Sequence, residues 1–505
     1  MKVFCFSLTV FGLIQTILAL PRPDFGINGD VGNSDKVEAG ALSLNGEFVL
    51  TGQKDITLTA GYNLLATLRT KLINIGDAIV LKGTAFATQL KTLSTDDTGP
   101  YTPAFGLVET KLAELETLFR TGLTADIAAI KSAVGSNAIK LQFDDAFADV
   151  LSAIATLKTS LTTLKTDVGK AQKAAGTSST VSTSIIRKNI PAKSVTDVIT
   201  NVRTLRANVQ LVTFIINSSL ENIALADEFV VDIVAVSKQT ATEFHDYVSA
   251  YQDLLEKEGE KVSQIISDNV GDDVDTRLSA SLADLQANSD YTNSGLANTL
   301  DILNTKLTTG TAGPRGDIVT SYASYQAAIP TVIEDLNAEL SSKLCSTVKK
   351  VVLAHVANAP YSDFCFSKFS ARAYALLPIV LDNYQFCFEN ELSRLFDLAT
   401  IVERIVAQIV FNVEEVAANL DVCLDAVGAE NVCFSAIEPY YEALANQSEE
   451  HFATIAELVD AETLASSSRL SACIVTTIYP IVVKSIEIND NLDTCMTNGP
   501  NAPPT

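Results

Sequence analysis

The sequence predicts an all-α protein: an elongated, antiparallel, coiled-coil-like helical region followed by a disulfide-stapled helical bundle. Three observations carry this expectation. Apolar residues recur at spacings of three and four, the period of a buried helix face. No stretch sustains the alternation of a half-buried strand. All cysteines beyond the first residues fall in the last third of the 505-residue chain.

The first residues, "MKVFCFSLTVFGLIQTILALPRP", place one Lys before a short apolar run that ends at Pro21 and Pro23. This is a secretory leader over 1–19, with Ala19 as the cleavage residue. Residues 20–55 contain "DFGINGDVGNSD" and read as a flexible lead-in. From 56 to 317 the chain is a cysteine-free, long-helix region. In it Val108, Leu112, Leu115 and Phe119 form one seam. Ile154, Leu157, Leu161, Leu164 and Val168 form a second, and Phe244, Tyr247, Tyr251 and Leu254 a third. Turn-rich segments at 94–103, 176–184, 268–276 and 308–317 are the expected breaks.

Residues 318–497 differ in texture. Leu398, Val402, Ile405, Ile409, Val413, Val416 and Leu420 lie on one helix face, and further Val and Ile residues off that face predict burial on several sides. Residues 498–505, "NGPNAPPT", read as a disordered tail.

Composition narrows the function. With 36 basic and 60 acidic groups, the net charge of −24 disfavours nucleic acid and anionic membrane as partners. No segment after the leader supplies the roughly 20 apolar residues of a membrane span, so membrane insertion is not expected. The reading is a secreted, extracellular protein.

Of the eight cysteines, Cys5 lies in the leader. The others, Cys345, Cys365, Cys387, Cys423, Cys433, Cys473 and Cys495, lack zinc-site spacing and read as disulfide partners. Their number is odd, which leaves one thiol free or available to join a homodimer. Cys365 and Cys387 are about 33 Å apart along one helix kinked at Pro378, so each must reach another helix. Cys423 and Cys433 flank a turn and are able to pair locally. The complete connectivity stays open. The sequons at Asn217 and Asn446 are glycosylation candidates.

Chemistry-bearing motifs are sparse. His245, His355 and His451 each sit in a helical pattern without catalytic partners around them, and no nucleophile-elbow, phosphate-loop or dinucleotide fingerprint is present. An enzyme, a cofactor and a metal site are therefore not expected. The run Asp268 to Asp275 fails the calcium-loop template at Val270 and Asp273, and reads as an acidic helix start. Phe364, Phe366, Phe369, Tyr440 and Tyr441 are core aromatics, with lining of an apolar pocket as the alternative. Arg315-Gly316-Asp317 spells an adhesion tripeptide inside "TTGTAGPRGD", a segment with the composition of an exposed helix-to-helix hinge. The hinge is the first reading of that segment and receptor display the second.

The order "CFSKF…YALLPIVLDNYQFCF", "LDVC", "VCFSAIEPYY" and a late pair of cysteines in an acidic helical segment resembles the TsetseEP domain of secreted insect proteins, over about 345–497. The resemblance implies a secreted helical protein of the gut lumen or of a glandular secretion, linked to immunity and without assigned activity. It carries over no catalytic residue. Only the cysteines transfer, as disulfide partners. The Glu-Pro repeats of the namesake are absent, so any function tied to them does not transfer. The resulting expectation is a non-enzymatic binding or structural glycoprotein whose partner is an unknown extracellular protein or surface. The alternatives are a carrier of small apolar ligands in the C-terminal bundle and an adhesion ligand.

Overall fold

A computed structural model describes residues 24–501; the leader expected over 1–19 lies outside them. The described residues are helical apart from short connections, with no strand among them. The helices are α1 (Ser34–Thr51), α2 (Asn63–Ser94), α3 (Tyr101–Thr117), α4 (Thr124–Val134), α5 (Ala138–Ala175), α6 (Thr183–Asn189) and α7 (Ala192–Ser267). They continue as α8 (Thr276–Gln286), α9 (Ser289–Thr292), α10 (Gly295–Thr308), α11 (Ala312–Val356), α12 (Ser362–Tyr374), α13 (Leu376–Leu424) and α14 (Glu430–Asn498). The fold is all-α.

The chain forms two compact units. One holds residues up to 233 with 348–371 and 489 onward, and the other holds 234–347 with 372–488. The division expected between 317 and 318 is not where the chain divides, because α11 runs straight through those positions. The divisions fall inside α7, α11 and α14, and just before the end of α12.

In the first unit, the seams on α3 and α5 are buried at every position named from the sequence. They pack with Leu65, Leu68, Leu72, Ile75 and Ile79 of α2. A leucine or isoleucine removed from water in this way contributes about 1.5–3 kcal/mol. Gly83 lets α1 approach α2, since a Cβ there would stand 2.2 Å from the Phe48 ring. The 20–55 segment is not a flexible lead-in over its described part. Phe25, Ile27 and Val31 are buried, the Phe25 and Gly26 amides donate to the Leu93 and Asp96 carbonyls, and α1 follows. Glycines and polar residues disguised a stretch whose apolar side chains Phe25, Ile27 and Val31 reach the core.

The second unit is built from the C-terminal part of α7, α8 to α11, α13 and α14. Residues 268–275 are not a break. They form a π-helical turn joining α7 to α8, with Val270 and Val274 buried beside Val262, Ile266 and Leu278. Gly259 admits α11, its hypothetical Cβ lying 2.8 Å from Tyr322 Cβ. Of the aromatic positions read as a seam, Tyr251 is buried while Phe244 and Tyr247 are half-buried, and the line shifts by one residue at its end: Leu255 is buried and Leu254 is exposed. On α13, Ile401, Phe411 and Val422 face outward, so this helix is not enclosed on several sides.

The expected single kinked helix around Pro378 is two helices, separated at Ala375, with Pro378 in the first turn of α13. A missing N–H is harmless in that turn. The disulfides are Cys365–Cys495 in the first unit, and Cys387–Cys473 and Cys423–Cys433 in the second. Cys365 and Cys387 each reach α14, as their separation demanded, and Cys423 pairs across the local turn. Cystines are thus not confined to one C-terminal bundle. Cys345 is free and exposed on α11. Gly499 of the expected tail is buried, with a short 3₁₀ turn over Gly499–Asn501.

Candidate functional site: an apolar cleft among three helices

A cleft of about 640 Å³ lies wholly within the 234–347/372–488 unit. One wall is the α7 face carrying Ser237, Thr240, Ala241, Phe244, Val248 and Gln252, spaced by three and four. The facing wall is α11, with Pro330, Ile333, Leu340 and Leu344, and α13 closes one side with Leu377 and Tyr384. The space exists because Ser237, Thr240 and Ala241 are small where close helix packing would need leucine-sized side chains.

Pro330 gives the α11 wall its local chemistry. Proline inside a helix has no N–H to offer, which leaves the carbonyl four residues earlier without its usual donor. That carbonyl belongs to Gln326 and accepts from Gln252 Nε2 at 3.2 Å, while Gln326 Nε2 donates to the Gln252 carbonyl at 3.3 Å. This reciprocal pair fastens α7 to α11 at the end of the cleft.

The floor is aromatic. Phe244 and Tyr384 pack with ring centroids 4.9 Å apart, and Phe388 lies beyond them. Tyr384 is buried, yet its hydroxyl makes no hydrogen bond. Burial pushes its pKa up to about 12, so it remains a neutral donor. Among the described residues lining the cleft, the ionisable side chains besides this tyrosine are His245 and Glu334, both exposed, and there is no lysine or arginine.

Behind the floor a polar network ties four helices. Tyr251 and Tyr325 share a hydroxyl–hydroxyl bond of 2.9 Å, and Ser466 donates to the Tyr325 hydroxyl or to the Glu391 carboxylate. Buried Glu391 also accepts from Arg469 Nε at 3.1 Å and from Arg394. A buried carboxylate requires such partners.

The residues singled out from sequence are mostly elsewhere. Phe369 is core, Phe364 and Tyr440 are exposed, and Phe366 stacks on His355 with centroids 3.9 Å apart. Tyr441 is buried and donates to the Val416 carbonyl; none of these aromatics lines the cleft. His245 lies at the cleft, His451 is exposed on α14, and His355 is buried with neither ring nitrogen hydrogen-bonded. Burial lowers the His355 pKa to about 4, against a smaller raising effect of the Asp363 carboxylate 3.6 Å away. Among the described residues no cluster of three or more His, Cys, Asp or Glu has metal-binding geometry.

Arg315-Gly316-Asp317 is not in a loop. Residues 309–311 form a 3₁₀ turn and α11 begins at Ala312, so the tripeptide occupies its first turns. Helical geometry turns Arg315 and Asp317 about 200° apart around the axis, whereas an extended segment points both the same way. Asn446 is exposed and its Oδ1 accepts from Lys306 at 2.7 Å, while Asn217 Oδ1 is buried.

No family model matches the chain, and no curated protein or solved structure matches it. The fold and site together define an all-α, disulfide-bonded bundle protein with a cleft among three of its helices.

Proposed function

We propose that this is a secreted, non-enzymatic binding protein of an extracellular fluid, and that it carries small apolar ligands in the cleft between α7, α11 and α13. The observation that supports the reading is a 640 Å³ cleft, more apolar than polar in its lining surface, within the size range of small-molecule sites. The cysteine pairing is consistent with an oxidising compartment. The resemblance to the TsetseEP domain remains an expectation for the gut-lumen or glandular setting and for a role in immunity.

The neutral fluorophore N-phenyl-1-naphthylamine tests this. It should bind the wild-type protein saturably, and Leu344→Trp or Ala241→Phe, which fill the cleft from opposite walls, should abolish binding with far-UV circular dichroism unchanged. Binding that survives both substitutions rejects the reading.

A second element rests on Cys345, exposed and unpaired on α11: the chain forms a covalent homodimer through it. Non-reducing electrophoresis should show a dimer band that Cys345→Ser removes. A strictly monomeric wild-type band rejects it.

A further inference from the structure

Residues 348–371 hold the last turns of α11, the corner after it and most of α12, all within the first unit. Asn358 stands just beyond α11 in the left-handed region, at a φ of 49°, which asparagine tolerates better than most residues. Its Nδ2 donates to the Ser218 and Ser219 hydroxyls of α7, both at 3.1 Å, and its carbonyl accepts from Gln142 Nε2 of α5 at 2.6 Å. Asn222 Nδ2 of α7 donates to Asn358 Oδ1 at 3.1 Å and to the His355 carbonyl at 3.4 Å. Val352, Val356 and Ala357 add apolar contact with the core. The corner is therefore fastened to α5 and α7 by amide and hydroxyl bonds as well as by packing.

The His355 ring stands beside these bonds and takes no part in them. It is buried and stacked on Phe366, which meets Phe229 of α7 at 5.5 Å, and neither ring nitrogen has a hydrogen-bond partner. A neutral ring so placed leaves one donor unpaired, whereas an imidazolium would leave two and a buried charge. Burial accordingly holds the pKa down at about 4. Asp363 of α12 faces the ring at 3.6 Å, beyond hydrogen-bond reach, and its side chain is exposed to water that screens it. Charges on the neighbouring helices are engaged elsewhere or solvated. On α7, Glu221 pairs with Lys54, Asp227 accepts from backbone amides and Glu228 is exposed. On α5, Lys140 pairs with Asp144 and Asp145 is exposed. Lys350 of α11 pairs with Asp493 of α14, and Lys368 of α12 lies over the Phe369 ring.

We propose that the corner between α11 and α12 is an acid-released latch: protonation of His355 undocks it from α5 and α7, while the Cys365–Cys495 disulfide keeps α12 tethered to the end of α14. The ring gains its proton only by reaching water, and it cannot reach water while stacked on Phe366 against α7. Opening breaks the Asn358 bonds and uncovers Val352 and Val356. The disulfide limits the excursion, so the change is local and reversible. The device is independent of the carrier reading and stands or falls without it.

In the open corner the ring titrates at its ordinary 6.5, and in the closed one at about 4. Lowering the pH from 7 to 4.5 should therefore raise the ratio of open to closed corners about sixtyfold. Hydrogen–deuterium exchange at the two pH values, corrected for the intrinsic exchange rate, reads that ratio directly. Peptides from 348–371 should gain about sixtyfold in exchange in the wild type, and peptides from the α3 seam of the same unit less than about threefold. His355→Phe keeps a ring on Phe366 but has no proton to gain, so its corner should lose most of that rise. His355→Leu is measured alongside, so that misfolding of one variant does not void the comparison. Carboxylate titration is common to all three proteins and cancels between them. A wild-type rise at least about tenfold above that of the variants supports the latch. A smaller difference overturns the role of His355, and an equal rise in the α3 peptides overturns the local opening.

Discussion

His355 makes the first unit sensitive to mild acid. Its ring is buried and stacked on Phe366 at 3.9 Å, and burial lowers its pKa from 6.5 to about 4. The unfolded chain takes up a proton as pH falls through 6.5, and the folded chain does not until about pH 4. Between those values the unfolded state binds more protons, so stability falls as pH falls. Above 6.5 both states are neutral and the effect vanishes; below 4 both are protonated and it levels off. At about 1.36 kcal/mol per unit, the full span is about 3 kcal/mol, most of it already lost at pH 4.5. Carboxylates also titrate in this range, so the useful comparison is with His355→Phe, which keeps an aromatic ring on Phe366 but cannot take up a proton. Urea unfolding of both proteins at pH 7 and pH 4.5 gives the result. The variant should lose about 2–3 kcal/mol less than the wild type on acidification. Equal losses would refute the claim that this ring is held neutral by burial.

Three other outcomes follow from the same contacts. Replacing Cys387 and Cys473 by serine opens a loop with a sequence separation of 86 and should destabilise by about 4–5 kcal/mol on the chain-entropy model, against about 2.7 kcal/mol for the separation of 10 at Cys423–Cys433; chemical denaturation of the two double mutants should preserve that order. In a secretory expression host Asn446→Gln should remove a glycan and increase gel mobility, whereas Asn217→Gln should not, because the Asn217 amide oxygen is buried on α7; a mobility shift from Asn217→Gln contradicts the packing described. Glu391→Ala should destabilise the second unit by about 3–5 kcal/mol, since it removes the acceptor shared by Ser466, Arg394 and Arg469; a loss under 1 kcal/mol in thermal unfolding would mean that the network is slack.

The helical class was legible because the seams on α3 and α5 repeat at a strict helical period and every one of their residues is buried. The breaks at 94–103 and 176–184 were legible for a local reason: Gly176 takes a positive φ directly after α5, and Gly99 takes one in the connection just before α3. The breaks read at 268–276 and 308–317 show what local chemistry omits: in the second, a 3₁₀ turn at 309–311 does separate α10 from α11, but 312–317 are already helical. In 308–317, Pro314 sits in the first turn of α11, where its missing N–H is harmless, and Thr308, Thr309 and Thr311 bond back to preceding carbonyls. In 268–275, burial of Val270 and Val274 holds a π-helical turn together despite Gly271 and the aspartates. Tertiary packing overrides propensity in both places.

The cleft was hidden for a different reason. Its walls come from residues 237–252, 330–344 and 377–384, and no spacing within any one of them announces the others. Two features hinted at it: Pro330 inside a long helical run, and the small residues Ser237, Thr240 and Ala241 on a face where the period calls for large ones. Of the aromatics that drew notice in the sequence, Phe369 serves the core and Phe366 the His355 stack, while Phe364 is exposed.

The most direct test of the central claim is to locate a ligand on the chain. A 2-alkanone carrying a photoactivatable diazirine in its tail, crosslinked to the native protein and mapped by mass spectrometry, should label peptides from 237–252, 330–344 and 377–384, and unlabelled ketone should compete the label away. Label spread over exposed helix faces, or concentrated on the smaller cleft beside Phe119 and Phe147, would contradict it.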